Sequence, residues 1–182
     1  MDEINFTEVK EADLEMIRQW RNSPEVGQYM YTDNEISAVQ QKKWFDKISL
    51  EENSRYWVIE FQKKKLGLVY LVHIDFKHSK CFWGFYLGDT SIRGKGIGAK
   101  VEYKVLEYVF EELKLNKLCG EVLSFNEKVI KMHEKFGFKQ EGYLRQHVNK
   151  NGSFMDVVSI GLLKSEWKVI KDDLYKKVYR FS

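Results

Sequence analysis

Cys81-Phe-Trp-Gly-Phe-Tyr-Leu-Gly-Asp-Thr-Ser-Ile-Arg93-Gly94-Lys95-Gly96-Ile97-Gly98 decides the reading of this chain. An aromatic strand pattern runs into a short basic glycine loop, and the helical pattern Ala99–Leu113 follows directly. A helix N-terminus carries unpaired N–H groups and partial positive charge, so an anion sits well there. Glycines remove the Cβ that would keep backbone amides away from phosphate oxygens, and they adopt the turns that aim those amides inward. Arg93 and Lys95 add countercharge. The construction predicts a pyrophosphate loop; the alternative is an ordinary glycine-rich strand–helix turn. Gly94, Gly96 and Gly98 fall at every second position, which does not match the dinucleotide fingerprint Gly-x-Gly-x-x-Gly. Lys95 is followed by Gly96 rather than Ser or Thr, which excludes the phosphate loop of nucleoside triphosphatases.

Size and charge narrow the classes further. A chain of 182 residues is expected to form one domain, residues 1–182, with a real core. Its net charge of +3 implies no general affinity for nucleic acid. No apolar run reaches membrane-spanning length, and the acidic opening Met1-Asp-Glu-Ile-Asn is unlike a signal peptide. The expectation is a cytoplasmic chain with no membrane partner. Cys81 and Cys119 read as reduced core thiols, and the four histidines show no metal-ligand spacing, so no metal is expected. A homodimer is compatible with the sequence.

Periodicity supplies the remaining elements. Ile4–Val9 reads as a strand, 11–21 as a helix with Leu14 and Ile17 on one face, and Asn22-Ser23-Pro24 as its break. Thr32-Asp-Asn-Glu35 predicts a capping box for a second helix over 35–50, with Ile36, Gln40, Trp44 and Ile48 in register. Arg55–Phe61 and Leu66–Asp75 read as strands around a turn at Lys63-Lys64-Lys65, and Cys81–Gly88 as a third. Leu118–Leu123 is a short strand. Ser124-Phe-Asn-Glu127 predicts a capping box for a helix ending at Gly137. Phe138–Val148 and Phe154–Leu163 read as a hairpin around Asn151-Gly152. Ser165 opens a last helix whose polar tail, about 168–182, is expected to pack loosely. This order predicts an α/β fold in which helices flank a mixed, mostly antiparallel sheet.

A second motif lies about thirty residues beyond the glycine loop: Asn126-Glu-Lys-Val-Ile-Lys-Met-His133-Glu-Lys-Phe136-Gly137-Phe138. Together, Arg-x-x-Gly-x-Gly after a strand and an Asn-initiated helix ending in Glu-Lys-x-Gly-Phe resemble the GNAT N-acetyltransferases. The resemblance implies the GNAT fold, acetyl-CoA as cosubstrate, and direct attack of a neutral amine on the thioester. It implies that Arg93, Gly94, Lys95, Gly96, Ile97 and Gly98 hold the CoA pyrophosphate. It also implies that strand Phe82–Gly88 splays from its neighbour, so that the backbone at Tyr86 and Leu87 bonds the pantetheine arm and the acetyl oxygen. Donors arranged in advance in this way are a large catalytic term. Asn126 matches the position that helps hold the CoA arm, or it is simply a helix N-cap.

His133 stands where the family usually carries the tyrosine that protonates the departing thiolate. Histidine can do the same work near neutral pH, or it can flank the buried face of its helix. Glu121 is the candidate base; its alternative is an exposed strand carboxylate or an ion pair. His73 and Asp75 are weaker candidates. Neither cysteine sits in a nucleophile's setting, so a covalent intermediate is disfavoured.

Trp20-Arg21-Asn22-Ser23-Pro24-Glu25-Val26, Tyr29-Met30-Tyr31-Thr32 and Trp44-Phe45 resemble the acceptor region of one subgroup. That subgroup acetylates the 4-amino group of a UDP-linked amino sugar in pseudaminic acid biosynthesis. The resemblance implies a nucleotide-sugar pocket lined by Arg21, Met30, Tyr31 and Trp44, although the last three also fit core packing. Flat apolar walls suit uracil and sugar rings, and arginine pairs with phosphate in a bidentate manner. Two alternatives stand beside this. Glu141-Gly-Tyr-Leu-Arg145-Gln-His147 and Leu163-Lys-Ser-Glu-Trp167 resemble the branch that acetylates ribosomal-protein N-termini. The other is an acyl-CoA-binding module without catalysis.

Overall fold

The computed structural model describes residues 4–92 and 94–179; Arg93 lies outside the described residues. The sheet has seven strands in the order β1-β2-β3-β4-β5-β7-β6. These are β1 (Ile4–Glu8), β2 (Arg55–Phe61), β3 (Lys64–Asp75), β4 (Lys80–Leu87), β5 (Lys117–Leu123), β6 (Lys139–Lys150) and β7 (Ser153–Leu163). Every neighbouring pair is antiparallel except β4 and β5.

Alternation along the central strands feeds two separate cores. Ile59, Val69, Leu71, Cys81 and Trp83 face one side. There they meet Val101, Val105 and Leu106 of α4 (Ile97–Glu107), and Trp167, Leu174 and Val178 of α6 (Lys164–Tyr179). Val58, Leu68 and Tyr86 face the other side. There they meet Ile17 of α1 (Leu14–Asn22) and Val26 of α2 (Pro24–Gly27), with Trp44 of α3 (Ala38–Ile48) packed against them. Burying a side chain of this kind contributes about 1.5–3 kcal/mol, so a one-residue slip of register in β2–β4 would undo both cores.

Several boundaries move from their expected places. Ser37, not Thr32, caps α3: its hydroxyl accepts from Gln40 N while the Gln40 side chain accepts from Ser37 N, so the helix begins at Ala38. The β2–β3 turn is Gln62-Lys63, both with positive φ, and β3 already starts at Lys64. The capping box expected at Ser124 does not form; Asn126 is the N-cap of α5 (Glu127–Lys135), without a side-chain capping bond. The tail expected to be loose over 168–182 is helical through Tyr179, because Leu174 and Val178 are buried against α4. Residues 180–182 lie outside the described residues. The helix after the glycine loop starts at Ile97 and widens into a π turn over Tyr108–Glu112.

The functionally decisive feature is a fork. The parallel β4–β5 ladder covers only Lys80–Phe82 against Lys117–Cys119. Beyond it β4 stays paired to β3, Leu71 with Trp83 through to Gly67 with Leu87, while β5 stays paired to β7, Gly120 with Ile160 through to Leu123 with Val157. One edge of Trp83–Leu87 therefore faces an opening in the middle of the sheet.

Candidate active site

The glycine loop closes one end of this fork. Gly94 and Gly96 have φ of +81° and +73°, and nothing lies within 4 Å of where a Cβ would stand on either. A left-handed Gly96 is the N-cap of α4, so the first-turn amides of that helix point into open space. Lys95 is exposed beside them, Ile97 is buried and anchors the helix, and Gly98 lies against Phe85 and Met132. The open cradle fits the pyrophosphate of acetyl-CoA, which supplies the activated acyl thioester. Tyr86 and Leu87 lie on the forked stretch of β4, as expected.

On the α1 side of the sheet an aromatic row leads towards the fork. Trp44 meets Tyr56 edge-on at 5.4 Å, and Tyr56 stacks on its cross-strand partner Tyr70 at 5.7 Å. Tyr70 pairs in turn with Gly84, and its hydroxyl fills the space that a side chain at 84 would need. Burial pushes the Tyr56 phenol up to about 12 and raises that of Tyr70. Across the gap stands Glu121, exposed on β5. The Tyr31 hydroxyl donates to Glu121 Oε2 at 2.8 Å, and burial, followed by that hydrogen bond and the Glu121 charge, raises the pKa of the Tyr31 phenol. Two residues ninety positions apart, one expected as the base and one as a pocket wall, are thus in contact.

Arg21 sits over the face of Tyr86 at 5.8 Å and donates to Thr32 Oγ1 at 2.7 Å. It has no carboxylate partner among the described residues. The buried Tyr86 hydroxyl has no hydrogen-bond partner there either. Met30 and Trp44 are half-buried and pack on the apolar cluster of Ile17, Val26 and Val58, so each has one side in the core.

His133 does not lie open to the fork. It is 6% exposed, its Nδ1 is 2.7 Å from Glu102 Oε1, and its ring packs on Trp83 and Phe138. Glu102 is wholly buried on α4, and burial raises its pKa despite the bond to His133. Asn126 stands at the end of β5, beside the stacked pair Tyr29–Phe125. His73 and Asp75 lie at the closed end of the fork, near Lys80–Phe82. Cys81 and Cys119 are buried free thiols, and burial lifts Cys81 to about 12, far from a nucleophile's range. Among the described residues no cluster of His, Cys, Asp and Glu could hold a metal, and no helix is long and apolar enough to cross a membrane.

Four site neighbours were not singled out from the sequence. Tyr56 and Tyr70 share the phase of Val58 and Leu68, so strand alternation was a usable signal. Glu102 lies four residues before Leu106 and seven before Val109, on the apolar stripe of its helix. Lys150, at the end of β6, gave no signal at all.

A sheet that forks beside a left-handed glycine loop, with Glu121 across the gap, has the layout of an acetyl-CoA-dependent N-acetyltransferase. A family model described as the acetyltransferase (GNAT) domain matches residues 3–139, and the chain belongs to that family. It is similar to acetyltransferase PseH of Campylobacter jejuni (strain 81-176), 28% identical over 134 residues that cover 74% of this chain and 82% of that protein. It is also similar to spermidine N(1)-acetyltransferase of Escherichia coli (strain K12), 26% identical over 164 residues, covering 90% and 88% of the two chains. The crystal structure of spermidine N-acetyltransferase from Vibrio cholerae in complex with CoA and spermine superposes with a TM-score of 0.85 at 25% identity, covering 91% of this chain and 98% of that one.

Proposed function

We propose that this enzyme acetylates the 4-amino group of a UDP-linked 4-amino-4,6-dideoxy sugar, the reaction type of pseudaminic acid biosynthesis, within one domain and in the cytoplasm. The observation that carries the reading is Arg21. Its guanidinium has no carboxylate partner among the described residues and lies on the sheet face that carries Trp44, Tyr56 and Tyr70. A guanidinium without a carboxylate partner among the described residues, beside a row of rings, suits a diphosphate attached to a uracil and a sugar. The PseH relatives support the same substrate class.

In this reading the amine enters on the Tyr70–Gly84 side, and Glu121 takes its proton through the Tyr31 hydroxyl or a water. The forked edge of β4 near Tyr86 and Leu87 offers backbone N–H groups to the developing oxyanion. Asn126 steadies the CoA arm, and His133, which is closed off from the fork, passes a proton to the thiolate only by way of an intervening water. Since thiols have a reference pKa of about 8.5, that last step assists turnover more than it limits it.

Polyamine acetylation is the second reading, favoured by the spermidine acetyltransferases that match most of the chain. A polycation calls for several free carboxylates, whereas Arg21 and Lys150 both stand on the acceptor side. Thiol release from acetyl-CoA that requires the UDP-amino sugar supports the first reading; release that requires only spermidine replaces it with the second.

A further inference from the structure

Lys150 ends β6 on the far edge of the sheet, yet its side chain is buried, with 8% of the residue exposed. Its ammonium donates to three backbone carbonyls: Gly27 at 2.6 Å, Gln28 at 3.0 Å and Met30 at 2.6 Å. An ammonium has three protons, so this set satisfies it fully without a carboxylate. Next to it, Asn151 N donates to Asp33 Oδ2 at 2.7 Å, so the hairpin tip grips the 27–33 segment at a second point. That segment carries Tyr29, which stacks on Phe125, and Tyr31, which donates to Glu121. Lys150 thus fixes one side of a loop whose other side meets the fork. Burial lowers the pKa of the ammonium, Asp33 opposes that shift and Arg21 adds to it; these are the charged groups that face it.

We propose that Lys150 is a positioning residue for acceptor binding, which acts through the carbonyls of Gly27, Gln28 and Met30 to hold Tyr31 on Glu121. Among the described residues its hydrogen bonds reach neither the glycine loop nor the forked edge of β4, so its effect falls on the acceptor and not on acetyl-CoA. The proposal rests on the assignment of the 27–33 loop to the acceptor side, but it does not depend on which amine is used.

Lys150→Met keeps the stem and removes the three donors. Hydrogen exchange at residues 28–33 is expected to quicken by about tenfold or more, with β5 and the first turn of α4 unchanged. With whichever amine the wild-type enzyme turns over, acceptor KM is expected to rise about tenfold while acetyl-CoA KM stays within about twofold. Tyr31→Phe should cost a similar amount. The double variant should cost no more than the worse single one, because the two changes break one chain of contacts. Lys150→Arg keeps the charge, but a planar fork cannot meet three divergent carbonyls, so it should show the same pattern more weakly; it also serves if the Met variant does not fold. Unchanged exchange at 28–33, equal losses for amine and acetyl-CoA, or fully additive losses would overturn the proposal. The exchange measurement needs no substrate, so it stands even if the sugar reading fails.

Discussion

His133 Nδ1 and Glu102 Oε1 share a hydrogen bond of 2.7 Å between α5 and α4, with both side chains buried. The family motif puts a proton donor at position 133; this chain puts there a histidine already committed to a carboxylate. His133 therefore has a structural duty beside any catalytic one. His133→Ala leaves Glu102 buried without its partner and is expected to cost about 3–5 kcal/mol of stability. If His133 also serves as the acid, turnover measured well below the melting temperature falls while acetyl-CoA affinity holds. Full turnover would leave it as the tie between two helices.

The same pair gives a pH dependence with a definite sign. The pKa of Glu102 in the folded state is raised above its ordinary 4.5 by burial. A raised folded value means that stability is greatest below the unfolded pKa and is lost as pH rises through the folded one. Glu102→Gln keeps a hydrogen-bonding partner for His133 and removes that loss. The melting temperature of the variant relative to wild type should therefore climb as pH rises above 4.5. A difference that stays flat with pH would show that Glu102 carries no such penalty.

Gly96 tests the cofactor loop. Its φ is +73° with open space around the absent Cβ, so a side chain would meet no clash within the protein. Gly96→Ala should therefore cost the fold only the left-handed backbone penalty, about 1–2 kcal/mol, while its methyl crowds the phosphate approach. Calorimetry should show CoA affinity falling about tenfold or more, a loss near 1.4 kcal/mol per decade. Unaltered affinity would remove the loop from the CoA site.

Gly84 tests the aromatic row. A Cβ there would stand 2.4 Å from the Tyr70 hydroxyl, so Gly84→Ala must displace that ring. Overpacking of this kind costs about 1–3 kcal/mol. The expected kinetic signature is a raised acceptor KM with acetyl-CoA KM nearly constant. Equal changes in both would place Tyr70 outside the acceptor path.

Much of this site was legible because its parts are local. The glycine loop, the aromatic strand and the Asn126 helix are each contiguous, and their φ values and periodicities follow from residue type. Even the Asn151-Gly152 turn was readable, since both positions need positive φ. Contacts between distant segments left no such trace. The alternation that marks Tyr56 and Tyr70 as strand residues does not say that the Tyr70 hydroxyl ends on Gly84, on the strand that forks. Nothing near Lys150 in sequence tells that its ammonium ends on a loop more than a hundred residues earlier. The capping box expected at Thr32 yielded to Ser37 because the intervening stretch is held elsewhere: Asn22 donates to the Ile36 carbonyl and accepts from Ile36 N. The 168–182 tail looked polar because α6 buries only one narrow stripe, Trp167, Leu174 and Val178.

Arg21 carries the substrate assignment, so its loss should be selective. Arg21→Met is expected to raise KM for a UDP-amino sugar by about ten- to a hundredfold, the range for losing a charged hydrogen-bonded phosphate contact. KM for acetyl-CoA should not move. An unchanged sugar KM would return Arg21 to a role in holding Thr32.

The most direct test is a competition. Limiting acetyl-CoA is offered to the purified enzyme with equal concentrations of UDP-4-amino-4,6-dideoxy-N-acetylhexosamine, spermidine and a peptide with a free N-terminus, and the acetylated products are identified by mass. The acetyl group is expected on the sugar, with thiol released in equal amount. Acetyl-spermidine or acetyl-peptide as the main product would contradict the nucleotide-sugar reading while leaving the fork and its cofactor loop intact.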